Sequence, residues 1–315
     1  MSFNAIWGLG QTALELALFN SLTVLALFLS YSMLNVCDLS TDGCFALGAA
    51  VGAVVAIAGH PWLSIPAAMG AGIVSGFVTA LLQTRMGVNS LLAGIIVNTG
   101  LYSINIWIMG GSSLLNMNKT VTVFTMLKGA LKGTALSGQF ALIIGLAAVA
   151  AVIAFLSLFL RTKLGLAIRA TGNNPDMVRS SSINPVFTTT IGLCVSNSFT
   201  ALSGCLLAQS QKSVTVDIGS GMVTVALASL LIGGVFLGRK SIPVRAIGAV
   251  LGAFVFRLVY TIALRFNLPA FMLKLISAVI VVISISGPYL KGRFPMIKKH
   301  FRMRFGKAGM QNVED

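Results

Sequence analysis

The sequence predicts an all-α membrane protein of about nine transmembrane helices, each needing about 20 mostly apolar residues. Three observations carry that prediction. Of the 315 residues 56% are hydrophobic and only 9% are charged, with mean hydropathy +0.93; a soluble domain carries about a quarter charged residues. The apolar residues fall into long runs separated by short polar connections. The excess of 22 Lys and Arg over 7 Asp and Glu sits largely in those connections and in the C-terminal tail. On a soluble chain a net charge of +15 would suggest nucleic acid. In this placement it orients helices in a bilayer, and no nucleic-acid partner is expected.

Candidate spans run over 12–34, 44–60, 63–84, 88–109, 139–160, 186–209, 219–237, 243–263 and 269–287. The second is short and rich in Gly and Ala, which suits a tilted or broken helix. The first residues, MSFNAIWGLGQ, hold no Lys or Arg, so the first apolar run reads as a retained helix. Connection 161–185 carries Arg161, Lys163, Arg169 and Arg179, and the tail after Pro288 is strongly basic. Four spans lie between them, so both can be cytoplasmic. Arg85 and Gly238-Arg239-Lys240 then also face the cytoplasm, the N-terminus lies outside, and the C-terminus lies inside. Loop 110–138 falls outside although it holds Lys119, Lys128 and Lys132; longer loops follow the charge rule less strictly.

Two halves of the chain carry related signals. Asp38-Leu-Ser-Thr-Asp42-Gly43 precedes one small-residue helix, and Asp217-Ile-Gly-Ser-Gly221 precedes another. The following helix has Gly72 and Gly76 in one half, Gly248 and Gly252 in the other, at nearly the same offset. Such glycine pairs let helices approach closely. Five spans precede the connection 161–185, and this odd number makes the halves inverted repeats of about 12–160 and 186–290, with a pathway at their interface. The Asp motifs are either broken-helix entrances to that pathway or ordinary helix caps at the surface.

The connection between the halves reads Gly165-Leu-Ala-Ile-Arg169-Ala-Thr-Gly172-Asn173-Asn174-Pro175-Asp176-Met-Val-Arg179-Ser-Ser-Ser-Ile183-Asn184-Pro185. Asn174 suits an N-cap, Pro175 the first helical position and Asp176 the positive helix end. Pro185 disfavours helix at Asn184. These signals predict a short helix of roughly two turns at the membrane surface. The stretch resembles the coupling loop of ABC importer permeases: Gly, Arg-Ala, a Gly-Asn turn, then a short helix ending in Ile-Asn. The runs 38–50, 201–209 and 226–234 are also similar to the branched-chain amino acid and sugar permease family. Within it, the likeness is greatest to the branch proposed to import tryptophan or tyrosine. This chain departs from the pattern with Ser180-Ser181-Ser182 where many relatives have small or apolar residues and a Gly before Ile-Asn.

The resemblance implies a single permease domain over 1–290, a basic tail over 291–315, and residence in the bacterial inner membrane. It implies a dimer of permeases, two cytoplasmic ABC ATPase subunits that bind ATP and Mg, and an external substrate-binding protein. ATPase contact would fall on Gly165, Arg169, Gly172, Asn173, Asn174, Asp176, Arg179 and Ile183. No cofactor is expected in this chain itself. The run Gly233–Ser241 lacks the Gly-Lys step of a phosphate loop. His60 and His300 have no ligand spacing, the four cysteines form no C-x-x-C pair, and no nucleophile–base arrangement is visible. No metal site or catalytic residue follows, and the chain does not read as an enzyme.

Polar residues inside spans are costly in lipid and mark a pathway or interhelical hydrogen bonds. They are Asn20, Ser90, Asn98, Thr99, Asn105, Ser196, Asn197 and Gln209, beside Asp38, Asp42 and Asp217. Glu15, Arg257, Arg265 and Lys274 lie near outer span ends, and Glu15 could pair with Arg257 or Lys274. An ion-coupled secondary transporter is the main alternative. It would want an acidic residue deep in the bundle, whereas the sequence places each Asp and Glu near a span end, in a loop or in the tail. A channel or structural membrane subunit is a third reading. Branched-chain amino acids, sugars and nucleosides are alternative substrates.

Overall fold

The computed structural model describes residues 3–130, 139–237 and 241–265, with a few positions between 275 and 286. The fold is helical: α1 (Phe3–Leu27, continued by a π-helical turn Phe28–Met33), α2 (Thr41–Ile57), α3 (Pro61–Thr84), α4 (Ser90–Ile108), α5 (Val123–Ala130), α6 (Phe140–Phe159), α7 (Lys163–Asn173), α8 (Pro175–Ser180), α9 (Pro185–Gln211), α10 (Met222–Leu237) and α11 (Ile242–Arg265). Among the described residues seven helical segments are long and apolar enough to cross a membrane, and α2 is apolar but shorter. The chain is therefore an all-α membrane protein. Eight of the nine expected spans fall on helices, seven with both ends within a few residues and the first on α1, which begins earlier, at Phe3. The ninth, 269–287, lies mostly outside the described residues. So do Lys132, Gly238-Arg239-Lys240, Lys274, the Arg265 side chain and the basic tail.

Two helices form the axis. α1 and α9 are largely enclosed, whereas α6 exposes most of its surface. They run antiparallel: Ser203 Oγ donates to the Phe19 carbonyl and Ser196 Oγ to the Ala26 carbonyl, both at 2.7 Å. α3 and α2 pack on α9, and α11 packs on α1. Small residues set the closeness of the α2–α9 contact. A Cβ on Gly48 would strike the Ala201 carbonyl, and one on Gly204 would strike the Phe45 carbonyl. The two glycine pairs do make close approaches, but to different partners. Gly72 and Gly76 meet α9, whereas Gly252 meets Ser229 on α10 and Gly248 lies against Gly233 and Leu237 of the same helix.

The connection 161–185 departs from expectation. Gly172 and Asn173 are not a turn; they end an eleven-residue helix, α7. Thr162 caps it, accepting from Gly165 N. The glycines serve close approach rather than left-handed backbone. A Cβ on Gly165 would strike the Phe159 carbonyl, and one on Gly172 the Met33 carbonyl. The short helix α8 starts as the sequence indicates, with Asn174 accepting from Asp176 N and Met177 N and with Pro175 in its first turn. It closes at Ser180, before Ser182 adopts φ +61°. This left-handed serine costs roughly 1 kcal/mol. Asn184 then caps α9.

Loop 110–138 also holds structure that the sequence does not announce. Leu114–Asn116 pairs antiparallel with Ser213–Thr215, clipping the end of α4 to the end of α9. Three-residue strands are too short to show alternation.

Candidate functional site

The two Asp motifs come together in the middle of the bundle. The π turn at Phe28–Met33 ends α1, and Asn35 at φ +56° turns the chain back inward. Cys44 Sγ donates to the Asn197 carbonyl, half-way along α9, so α2 begins at mid-depth. Asp38 is 1% exposed there. Its Oδ1 accepts from Ser40 N at 2.8 Å and Ser40 Oγ at 2.6 Å, and its Oδ2 accepts from Asn197 Nδ2 at 2.7 Å. Thr79 Oγ1 on α3 donates to Ser40 Oγ at 3.2 Å. Asp38 is thus not a surface cap. The sequence-based objection that no acidic residue lies deep in the bundle also fails here. A polar residue just outside an apolar run reads as a span end unless the chain re-enters.

Asp42 spans the halves. Its Oδ2 accepts from Gly221 N at 2.9 Å and its Oδ1 from Val223 N at 2.8 Å, so it caps the start of α10 rather than its own helix. Asp217, which precedes α10 in sequence, instead sits in a 3-10 turn, Val216–Gly219, and is exposed. Replacing Asp42 with Ala leaves two backbone donors of α10 without their charged acceptor. The expected loss is about 2 kcal/mol of stability, read as a lower thermal midpoint in detergent; an unchanged midpoint would contradict the cap.

Beside this junction lies a polar cavity of about 390 Å³, lined by Asp42, Gly43, Asn98, Thr99, Tyr102, Ser103, Asn105 and Asp217, with Ala46, Val216 and Ser220. Five of the sequence candidates meet there: Asp42, Asn98, Thr99, Asn105 and Asp217. Asn105 is buried; its Nδ2 donates to the Gly43 carbonyl at 3.2 Å, while its Oδ1 has no partner. The lining offers carboxylates, amides and hydroxyls and no Lys or Arg. It suits a ligand with N–H donors and a positive charge. A cavity of this size holds one small molecule.

The other candidates do not line this cavity. Ser196 and Asn197 tie α9 to α1 and to Asp38. Gln209 accepts from Val123 N at 3.1 Å and donates to Ser64 Oγ at 2.6 Å. Ser90 opens α4, away from the cavity. Asn20 is buried on α1 with Oδ1 lacking a partner, and does not line the cavity. Glu15 makes no ion pair with Arg257 among the described residues; Arg257 lies over the Tyr260 ring at 4.9 Å. Tyr102, Ser103 and Ser220 were missed. Thr99, Tyr102 and Ser103 share one helical face with Asn98, and a polar stripe at that spacing was the available signal.

Five of the eight expected docking residues are exposed on α7, α8 and the turns beside them. Ile168 and Val178 are buried, anchoring α7 and α8, and Thr171 shares a hydrogen bond of 2.8 Å with Thr188 on α9. Asn173, Asn174, Asp176, Arg179 and Ile183 are exposed, Arg169 and Gly172 half-buried, and Gly165 buried. Among the described residues no group of three or more His, Cys, Asp or Glu gathers as a metal site.

Comparison with known proteins agrees with this architecture. Residues 12–285 match the family described as branched-chain amino acid transport system, permease component. A tyrosine transport system permease protein of Clostridioides difficile (strain R20291) is 29% identical over 263 residues, covering 83% of this chain and 85% of that protein. An uncharacterized protein, RP368, of Rickettsia prowazekii (strain Madrid E) is 30% identical over 281 residues, covering 87% and 96%. No solved structure matches the chain.

Proposed function

The chain belongs to the branched-chain amino acid transport system permease family, and from that premise we propose that it is the membrane pathway of an ATP-driven amino acid importer. It is a transport subunit of the inner membrane rather than an enzyme. Tyrosine or tryptophan is the proposed substrate, after the relative named for tyrosine. A separate ABC ATPase docks on α7 and α8 at the cytoplasmic face and hydrolyses ATP with Mg. An external binding protein delivers the substrate, and a second copy of the chain completes the complex. The N-terminus lies outside and the C-terminus inside.

One observation carries the reading: the docking surface and the polar cavity share a continuous chain of contacts. Gly172 of α7 rests on the Met33 carbonyl. Five residues later Asp38 joins Asn197 on α9, and Asp42 then caps α10 beside the cavity. Movement of α7 thereby reaches the start of both α2 and α10, a contiguous element that can hold two arrangements. Inverted repeats over 12–160 and 186–290 are part of this reading. The packing of α11 on α1 alongside α3 on α9 supports them.

Asp217 receives the substrate ammonium in this account. In proteoliposomes with ATPase and binding protein, tyrosine uptake requires ATP, and Asp217→Asn weakens apparent affinity by about tenfold, the loss of one charge-assisted hydrogen bond. The buried Asp38 gives the ion-coupled alternative its one supporting observation. Uptake driven by a Na⁺ or H⁺ gradient without ATPase would establish that alternative and reject the importer.

A further inference from the structure

A second, apolar concavity shares no lining residue with the polar cavity. A cavity of about 840 Å³ opens between α3 and α6 with α9 as its floor; Ile65, Ile73, Ala148, Phe155 and Val195 are among its lining. A cavity of about 510 Å³ adjoins it, lined by Phe77, Leu81, Arg85, Asn184 and Phe187 with neighbouring threonines. The two follow the same stripes. Ile73 and Phe77 are one turn apart on α3, and Ile191 of the first follows Thr190 of the second on α9. From Trp62 to Arg85 the trough covers the length of α3, about 35 Å at 1.5 Å per residue. That matches the hydrocarbon thickness of a bilayer, about 30 Å.

We infer that this trough is a binding site for an anionic phospholipid, its acyl chains along α3 and α9 and its phosphate on Arg85. Charge decides the occupant. Among the described residues Arg85 is the only charged one lining either cavity and has no acidic partner; it sits at the end of a span and is exposed. Asn184 beside it offers an amide donor at headgroup depth, whereas the Thr84 hydroxyl donates to the Ala80 carbonyl. Long apolar walls ending in one unpaired cation complement a lipid with an anionic head. Asn184 caps α9 directly after α8, so the headgroup would sit against the exit of the short surface helix.

The test is a lipid titration of the full chain in detergent, followed by native mass spectrometry. Phosphatidylglycerol, phosphatidylcholine and glycerol phosphate are compared. Wild type binds phosphatidylglycerol more tightly than phosphatidylcholine, and glycerol phosphate does not compete. Arg85→Gln removes about fivefold of that preference, the share of one basic residue against an anionic lipid surface. Ala148→Trp, which fills the trough, weakens both lipids; if that variant fails to fold, Arg85→Gln carries the test. Equal binding of the two lipids by wild type, an unchanged preference in Arg85→Gln, or competition by glycerol phosphate would overturn the site. Conversion of a dimer to monomers by Ala148→Trp with lipid binding intact would instead make the trough a protein interface. No arm reads transport, so the result is independent of the importer proposal.

Discussion

Gly48→Leu is expected to abolish accumulation of the folded protein. α2 and α9 approach through Gly48, Gly52 and Gly204, and the atoms facing Gly48 belong to the Ala201 backbone, which cannot rotate away. Cys205 Sγ faces Gly52, and the Phe45 carbonyl faces Gly204, so the helices interlock from both sides. A leucine at Gly48 must part them. Parting them disturbs the Cys44–Asn197 bond and the Asp38–Asn197 bond just below. Overpacking alone costs about 1–3 kcal/mol, and an orphaned buried carboxylate adds more. The combined loss approaches the whole stability of an ordinary domain. Yield of monodisperse protein and its thermal midpoint measure the effect. Gly70→Leu, where no atom lies within 4 Å of an added Cβ, is the matched control and should be tolerated. Equal behaviour of the two variants would contradict the close crossing.

The second large effect is functional. Arg169→Glu combined with Asp176→Arg should cut ATPase affinity at least about a hundredfold, since reversing charges at a desolvated contact costs several kcal/mol. The fold should survive. The Asn174 cap accepts from the backbone of Asp176, not from its side chain. Ile168 and Val178, which anchor α7 and α8, are unchanged. Asp176 also favours the positive end of α8, so its reversal costs about 0.3–1 kcal/mol of local stability, too little to unfold the bundle. Normal thermal behaviour with lost ATPase retention is the expected signature.

Much of this architecture is legible in the sequence because lipid imposes a single strong rule. Spans must be apolar and helical, and eight of the expected runs fall on helices. The caps at Asn174 and Asn184 and the prolines after them are equally local signals. What escaped is non-local. Asp42 caps a helix 179 residues away, an interaction that no window on the sequence contains. Asp38 reads as a span end because re-entry of the chain after a π turn leaves no compositional trace. Gly172-Asn173 looks like a turn because glycine signals positive φ as readily as close packing; here packing on Met33 explains it. The cavity was half visible: its Asn and Asp residues stood out, whereas Tyr102, at home in any membrane helix, did not.

Capture of the ATPase by the solubilised full chain tests the central claim most directly, with wild type and the Arg169→Glu plus Asp176→Arg variant compared at equal folding. The account predicts that wild type retains the ATPase and the variant does not. Retention by both, or by neither while an ion gradient alone drives uptake, would contradict it.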